Sequence, residues 1–196
     1  IFISFRILNI PDLTAEGSFT LGVAVSATVT VAGAPCLGLL AAFLCGMAAG
    51  AVTGLLQTKV GIHPILAGIL TMSGLYTVNL AVMGARSNVT LIGVDTLFQR
   101  LYRQLAPLPK DGVKLLVGAA LTGLVLLALI WFFKTHLGLC IRATGDNEAM
   151  VRSSSINAAV MKITGLAVSN GCIALSGAVV AQYQGYADVS SGIGIL

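Results

Sequence analysis

The sequence predicts an all-α fold, a polytopic bundle of transmembrane helices, from its composition and its long uncharged runs. Apolar residues make up 57% of the chain and charged residues only 9%. A soluble domain averages about 25% charged residues, so this chain has too little polar surface to cover a globule in water. Its 23 glycines suit transmembrane helices, where small residues let backbones approach closely. We therefore expect a multi-pass protein surrounded by membrane lipid.

The gaps between charged residues locate the membrane spans. No Lys, Arg, Asp or Glu occurs between Glu16 and Lys59, a run long enough for two crossings of about 20 residues each. Pro35 and the glycine two residues before it divide this run, because Pro and Gly mark turns. The predicted spans are 17–33, 36–57, 62–84, 113–133 and 162–182, and residues 1–10 are interpreted as the tail of an earlier helix. The chain opens without methionine and stops within an apolar stretch, so we expect one transmembrane domain, 1–196, truncated at both ends.

One face of the second span carries small residues at intervals of four. Gly46, Gly50 and Gly54 follow Ala42 in strict register. Residues four apart lie on the same face of a helix, and a face of small residues lets another membrane helix pack closely. These three glycines are therefore predicted to be helix-packing positions.

Two polar connections flank the fourth span. The first is 85–112, which includes Pro107 and Pro109, and the second is 134–162. Both carry an excess of basic residues. With one span between them, the two connections lie on opposite faces of the membrane. Cytoplasmic loops normally carry the excess of Lys and Arg, so charge alone leaves the orientation open here. The eleven basic residues form no run typical of a nucleic-acid surface, and no nucleic-acid partner is expected.

Within 134–162 the sequence predicts a short amphipathic helix. Asp146 is its candidate N-cap, and Glu148 in the first turn suits the positive end of the helix dipole. Residues 149–151 are its candidate core, and Asn157 is a candidate cap of the following span. Such a helix either lies in the lipid interface or packs against a partner, and the physical pattern leaves both interpretations open.

Two motifs in this segment carry a family resemblance. Residues 142–147 read Arg-Ala-Thr-Gly-Asp-Asn, and Ser-Ile-Asn follows at 155–157. The pair resembles the cytoplasmic loop of the type II ABC importer permeases, the family of branched-chain amino acid and ribose permeases. The resemblance implies a coupling helix that docks into an ATPase, which places 134–162 in the cytoplasm and 85–112 outside. The residues that it assigns to ATPase coupling are Arg142, Gly145, Asp146, Asn147, Glu148, Met150, Arg152, Ile156 and Asn157.

Three further segments, 9–19, 61–72 and 174–189, resemble the same family, and most closely the permeases paired with tryptophan- or tyrosine-binding lipoproteins. The resemblance implies the permease subunit of an ATP-driven importer in the bacterial cytoplasmic membrane. Its solute is expected to be an amino acid, with aromatic amino acids included. The implied partners are a cytoplasmic ABC ATPase subunit, an extracytoplasmic substrate-binding lipoprotein and a second copy of the permease. ATP and Mg²⁺ would bind to the ATPase, with no cofactor on this chain.

Asp12 and Glu16 are the acidic residues nearest to a span, and Pro11 precedes them. If the backbone breaks there, the free amides of the next helix lie inside the protein, as at the substrate sites of many transporters. The alternative is that Asp12 caps a helix at the membrane interface. The tripeptides Asp12-Leu13-Thr14 and Asp188-Val189-Ser190 share a pattern that is consistent with two inverted repeats.

Polar residues inside the spans are the other candidates for a substrate pathway. Ser73, Tyr76 and Asn79 lie close together in the third span, and polar groups in lipid face the bundle or a cavity. Interhelical hydrogen bonding is the alternative role for these side chains. The complete set of predicted pathway residues is Asp12, Thr14, Glu16, Ser73, Tyr76, Asn79, Ser176 and Gln182.

Catalytic and nucleotide-binding motifs are missing from the sequence. The pattern GxxxxGK[ST] is absent, and no Ser/His/Asp or metal-ligand cluster occurs, so we expect neither an enzyme nor a metal site in this chain. The rival interpretations are an ion-coupled secondary transporter, a passive channel and a purely structural membrane subunit. A secondary transporter needs carboxylates for its coupling ion within its spans, and the predicted spans contain none.

Overall fold

The computed structural model describes residues 1–104 and 110–195, so Pro107, Pro109 and Leu196 lie outside the described residues, as do the side chains at 104, 110 and 111. The helices are α1 (Thr14–Val31), α2 (Pro35–Leu55), α3 (Pro64–Val82), α4 (Leu97–Gln104), α5 (Lys110–Lys134), α6 (His136–Asp146), α7 (Glu148–Ser153) and α8 (Ala158–Gln184). A π-helical turn, Ile3–Ile7, precedes them, and a second, Leu56–Val60, extends α2. The strands β1 (Asn88–Thr90) and β2 (Tyr186–Asp188) form an antiparallel pair. The all-α prediction is confirmed, because only the six residues of β1 and β2 form strands among the residues that the structure describes.

The two polar connections contain more structure than the sequence analysis predicted. Residues 85–112 include β1 and α4, and 134–162 include both α6 and α7 where one short helix was expected. Strand β1 pairs with β2, with Val89 opposite Ala187, so the first connection is joined to the end of α8. Strands of three residues depend on this long-range pairing, which local sequence does not specify.

Helix α1 is the centre of the bundle. Fourteen of its eighteen residues are buried, and α2, α3 and α8 pack around it. The described chain has four helical segments long and apolar enough to cross a membrane, namely Pro35–Val60, Pro64–Val82, Gly112–Lys134 and Ala158–Gln184. Helix α1 is not among them, because Glu16 and several threonines and serines lower its mean hydropathy. This composition is tolerated because its neighbours are mainly helices and not lipid tails.

The glycine stripe on α2 lies against α8. A Cβ at any of Gly46, Gly50 or Gly54 would come closer to atoms of α8 than real Cβ contacts allow; at Gly54 it would lie 2.8 Å from the Cα of Ile163. Only hydrogen fits at these positions, so the two backbones approach closely. Close packing of this kind is a main source of helix association in a membrane.

The antiparallel arrangement of α2 and α8 gives the bundle two ends. At the first, which we call the α7 end, α7 and the turn 56–63 line one groove. At the second, the sheet end, β1 and β2 pair and α4 contacts the turn 32–34. There the Arg100 side chain donates a hydrogen bond to the Gly33 carbonyl at 2.8 Å.

Candidate functional site

Asn147 is the N-cap of α7. Helix α6 continues through Asp146, and the backbone becomes extended at Asn147 (φ −154°, ψ 97°). The Asn147 Oδ1 accepts a hydrogen bond from the Met150 amide at 3.0 Å, which satisfies a free donor of the first turn. The prediction that Asp146 caps this helix is therefore wrong by one residue, because Asp146 still belongs to the preceding helix.

Glu148 connects α7 to α8. Its carboxylate accepts hydrogen bonds from Lys162 Nζ at 2.7 Å and from Arg152 Nη2 at 2.8 Å. These donors, with Lys162 the stronger, hold the pKa of Glu148 below its ordinary value. The Arg152 pair lies within one helix and is largely exposed, so it contributes little to stability. The Lys162 pair joins two elements and links the short helix to α8.

A single side chain forms the buried side of α7. Val151 is 4% exposed, whereas Met150 is 67% exposed and Ala149 is exposed as well. The prediction that residues 149–151 form the core is therefore wrong for two of the three. Ile156, in the turn after α7, packs on the apolar cluster between α6 and α8. Helix α7 is thus anchored at both sides and presents a flexible apolar side chain outward, as protein-binding surfaces often do.

Two other predicted coupling residues have different positions. Gly145 packs against the N-terminal segment: a Cβ there would overlap the Ile7 carbonyl, and the Gly145 carbonyl accepts a hydrogen bond from Asn9 Nδ2 at 3.2 Å. Arg142 is exposed and borders, with Asp146, a groove of about 370 Å³. Gly145 therefore serves packing inside the chain, while Arg142 and Asp146 remain accessible.

Asn157 is the N-cap of α8, as the sequence analysis predicted. Its Oδ1 accepts hydrogen bonds from the Ala159 amide at 3.1 Å and the Val160 amide at 3.3 Å. Both ends of the α7 segment are therefore defined by asparagine caps, one at Asn147 and one at Asn157.

A second group of predicted residues lies deep in the bundle, where the backbone is irregular. Residues 8–13 form neither helix nor strand, so α1 begins at Thr14 within the protein. Asp12 is fully buried. Its Oδ1 accepts a hydrogen bond from the Thr14 amide at 3.0 Å, and its Oδ2 accepts one from Asn170 Nδ2 at 2.7 Å.

The depth of Asp12 follows from its partner. Asn170 is the thirteenth of the 27 residues of α8. At 1.5 Å per residue, it lies roughly 18 Å from the start of that helix. Asp12 does accept a hydrogen bond from the start of α1, as the capping alternative predicted, and its contact with Asn170 places this turn beside the middle of α8. A helix that starts inside a membrane bundle is the geometry found where transporters hold polar solutes.

Three of the predicted pathway residues border one cavity. Glu16, Tyr76 and Asn79 surround a space of about 70 Å³ between α1, α3 and the segment that follows β2. The Asn79 Nδ2 donates to the Gly17 carbonyl at 3.4 Å, so this side chain also forms the interhelical hydrogen bond considered as its alternative role. Tyr76 is 54% exposed and lies at the rim.

Gln182 connects four helices by hydrogen bonds at the sheet end of the bundle. Its Nε2 donates to Ser26 Oγ at 3.1 Å and to the Pro35 carbonyl at 3.0 Å, and its Oε1 accepts from the Leu97 amide at 3.2 Å. One side chain therefore joins α8 to α1, α2 and α4. These contacts give Gln182 a packing role away from the cavity.

The remaining predicted pathway residues are separate from the cavity. Thr14 shares a hydrogen bond of 2.9 Å with the hydroxyl of Thr53 on α2. Ser73 and Ser176 are exposed, and the Ser176 hydroxyl donates to the Ile173 carbonyl of its own helix. The structure therefore brings Asp12, Thr14 and the cavity residues around the start of α1 and leaves these two serines on outer surfaces.

The tripeptide at Asp188 forms the same turn as the one at Asp12. The Asp188 Oδ1 accepts hydrogen bonds from the hydroxyl and the amide of Ser190, and these donors lower the pKa of the Asp188 carboxyl. The segment then returns to α1, where the Gly194 amide donates to Glu16 Oε1 at 3.1 Å. Two irregular segments thus approach the first turn of α1 from opposite ends of the bundle. The inverted repeat itself stays a prediction.

Asn170, Thr53 and Lys162 were missed by the sequence analysis. Asn170 and Thr53 are fully buried. Their position as polar residues within predicted apolar spans is the sequence feature that could have identified them. Lys162 was read as part of a charged connection, although it lies one turn inside α8 and faces Glu148. Its role depends on a contact across 14 residues, which the local pattern does not contain.

Comparison with known proteins identifies the family. The model of the branched-chain amino acid transport system permease component matches residues 1–196. The chain belongs to this permease family. The chain is therefore a multi-pass protein of the bacterial cytoplasmic membrane, and the predicted family resemblance is confirmed.

Two curated relatives are similar to the permease over its length. A tyrosine transport system permease protein of Clostridioides difficile (strain R20291) is 40% identical over 197 residues, which cover 100% of this chain and 63% of the relative. An uncharacterized protein of Rickettsia prowazekii (strain Madrid E) is 35% identical over 196 residues, which cover 99% of this chain and 66% of the relative. The permease thus spans between 63% and 66% of the length of these two relatives. No solved structure matches it.

Proposed function

We propose that the chain is the membrane-spanning part of an ATP-binding-cassette importer that moves an amino acid across the cytoplasmic membrane. The single observation that carries this proposal is the α7 segment, a helix capped by Asn147, fixed by Glu148 to Lys162 and exposing Met150. Membership of an amino acid permease family and similarity to a tyrosine transport permease support the solute class.

A cytoplasmic ATPase is the partner that we propose for α7. A helix used to transmit force must be rigid with respect to the bundle and accessible to its partner. The Lys162 contact and the buried Val151 supply the first property, and the exposed Met150 supplies the second. ATP and Mg²⁺ would bind to that ATPase. A second permease copy and an extracytoplasmic binding lipoprotein complete the proposed assembly, with the lipoprotein at the sheet end.

The proposed orientation places the α7 end in the cytoplasm. Membrane proteins carry their excess of Lys and Arg on that side. The α7 end has six basic residues and the sheet end five, so charge does not distinguish the two ends, and the proposed orientation rests on the family resemblance of the α7 segment. The six are Arg6, Lys59, Lys134, Arg142, Arg152 and Lys162, and the five are Arg86, Arg100, Arg103, Lys110 and Lys114.

Docking of α7 is tested with the complete permease expressed with its ATPase. Met150→Glu is expected to reduce the ATPase that co-purifies by about tenfold or more, because a charge replaces an apolar contact at the centre of an interface. The control is Ile92→Glu, which makes the same change at a residue that is 87% exposed at the sheet end. Equal loss in both variants, or none in either, would count against α7 as the docking helix.

A substrate pathway at the start of α1 is tested through Asp12. Asp12→Ala is expected to abolish ATP-driven uptake while the ATPase still co-purifies, and Asp12→Asn, which keeps the shape of the turn, separates charge from folding. Unchanged uptake in Asp12→Ala removes this residue from the pathway. Uptake by the unmodified protein that continues without ATP would favour the secondary transporter or the channel.

A further inference from the structure

We propose that the cavity beside the first turn of α1 binds the ammonium group of the transported amino acid. This inference rests on the proposed function and adds the group of the solute that the permease recognises. The cavity lies between α1, α3 and the segment after β2, next to the turn formed by Asp12.

The first support is an unsatisfied acceptor. Asn79 is 1% exposed and borders the cavity, and its Nδ2 is held by the Gly17 carbonyl. Its Oδ1 is buried and has no partner among the residues that the structure describes. Rotating the amide would bring its oxygen against the Gly17 carbonyl, so the assignment follows from the hydrogen bond. A buried carbonyl oxygen without a donor is unfavourable, so a donor that reaches it from the cavity would gain a hydrogen bond.

The second support is the nature of the other polar groups at the cavity. The Glu16 carboxylate accepts a hydrogen bond from the Gly194 amide and forms no ion pair within 1–104 and 110–195. The Thr20 hydroxyl already donates to the Glu16 backbone carbonyl at 3.1 Å, so it can only accept from a ligand. The Asn79 and Glu16 oxygens also accept, so these groups favour a cation with several N–H donors over an anion.

The third support is the shape of the site. A volume of about 70 Å³ is large enough for an ammonium head. The ring of Tyr76 stands at the rim and is half exposed, and aromatic faces attract cations. An ammonium group has three donors, so Glu16 and Asn79 can both accept from it while the rest of the solute lies outside the cavity.

The test uses the complete permease with its ATPase and binding lipoprotein in proteoliposomes, with L-tyrosine as the probe. Glu16→Gln keeps the shape of the side chain and an acceptor for the Gly194 amide, and it removes the negative charge. Loss of a charge-assisted hydrogen bond is expected to lower uptake at saturating lipoprotein by about tenfold. The control is Thr77→Val, at an exposed position of α3 next to the cavity residues.

A binding measurement identifies the recognised group. The permease–ATPase complex without lipoprotein is expected to prefer L-tyrosine over 3-(4-hydroxyphenyl)propionate, which lacks the amino group, and Glu16→Gln is expected to lose that preference. Tyr76→Leu should weaken uptake more than Tyr76→Phe, which keeps the aromatic face; the exposed position of Tyr76 makes both changes compatible with folding.

The outcomes separate this inference from the proposed function. Failure of the unmodified importer to take up any amino acid with ATP overturns the proposed function. Normal uptake by the unmodified importer, together with full activity of Glu16→Gln or an unchanged preference for the amine, overturns only the ammonium site. Uptake that requires Na⁺, with the requirement abolished by Glu16→Gln, would overturn it in favour of a metal-cation site.

Discussion

Replacing Gly50 by alanine tests the packing of α2 on α8. The added Cβ would lie 2.8 Å from the carbonyl carbon of Leu166 and 2.9 Å from the Cα of Ala167. The carbonyl oxygen of Leu166 would be nearer still, and ordinary van der Waals contacts of a Cβ begin at 3.4 Å, so the helices must separate locally by at least 0.6 Å (3.4 − 2.8). Backbone atoms cannot rotate away as a side chain can. Overpacking of this kind costs about 1–3 kcal/mol.

Alanine also has a better helix propensity than glycine, by about 0.5–1 kcal/mol, and this gain must be separated from the packing cost. Gly118→Ala and Gly123→Ala on α5 supply the correction, since a Cβ at either position meets no atom within 4 Å. We expect the free energy of unfolding of Gly50→Ala to fall below that of both controls by about 1–3 kcal/mol. The measurement is unfolding of the permease in nanodiscs. If Gly50→Ala were as stable as the controls, the close contact between α2 and α8 would be refuted.

Three further changes test the two ends of the bundle. Asn157→Ala removes the cap of α8 and should lower the free energy of unfolding by about 1 kcal/mol, while Asn157→Asp keeps an acceptor and should stay near the unmodified value. Because the folded-state pKa of Glu148 lies below 4.5, its ion pairs stabilise α7 fully above that pH, and the stabilisation is lost as the pH falls through the lowered pKa. A spin label at position 149 should therefore become more mobile at acid pH. The change should be small, because partly exposed ion pairs stabilise by less than about 1 kcal/mol. In Glu148→Gln the label should be equally mobile at every pH. If the label's mobility still changed with pH in Glu148→Gln, the titrating group would be a residue other than Glu148. Gln182→Leu removes the acceptor of the Leu97 amide and should speed hydrogen exchange there by about fivefold or more, with Gln184→Leu, an exposed neighbour, as the control.

The membrane fold was predictable because lipid imposes a local rule on sequence. A span must be a run of apolar residues about 20 long, so the charge gaps located long helices without any tertiary information. The stripe of Gly46, Gly50 and Gly54 was predictable for a similar reason, since the helical repeat alone places these residues on one face. Which helix lies against that face is a tertiary fact, and the structure places α8 there.

The capping residues show how far local reasoning extends. Asn157 was identified because an asparagine before an apolar run is a common helix start, and it accepts two amide hydrogen bonds as expected. At α7 two suitable residues, Asp146 and Asn147, are adjacent in sequence. The choice between them depends on where α6 ends, and α6 is stabilised by packing on α8 and the N-terminal segment.

The sequence by itself determined that this protein crosses a membrane, that it belongs with the amino acid permeases, and that a polar helix connects two of its spans. The membrane spans and the polar helix follow from composition and periodicity, which are local, and the family follows from the resemblance of short segments to known permeases. Only the tertiary structure decided that Asp12 lies in the middle of the bundle beside Asn170, that Glu16 and Asn79 face one cavity, and that Gln182 fastens three helices instead. The physical reason is that the cost of burying a polar group depends on its partners, and these partners are up to 158 residues away along the chain.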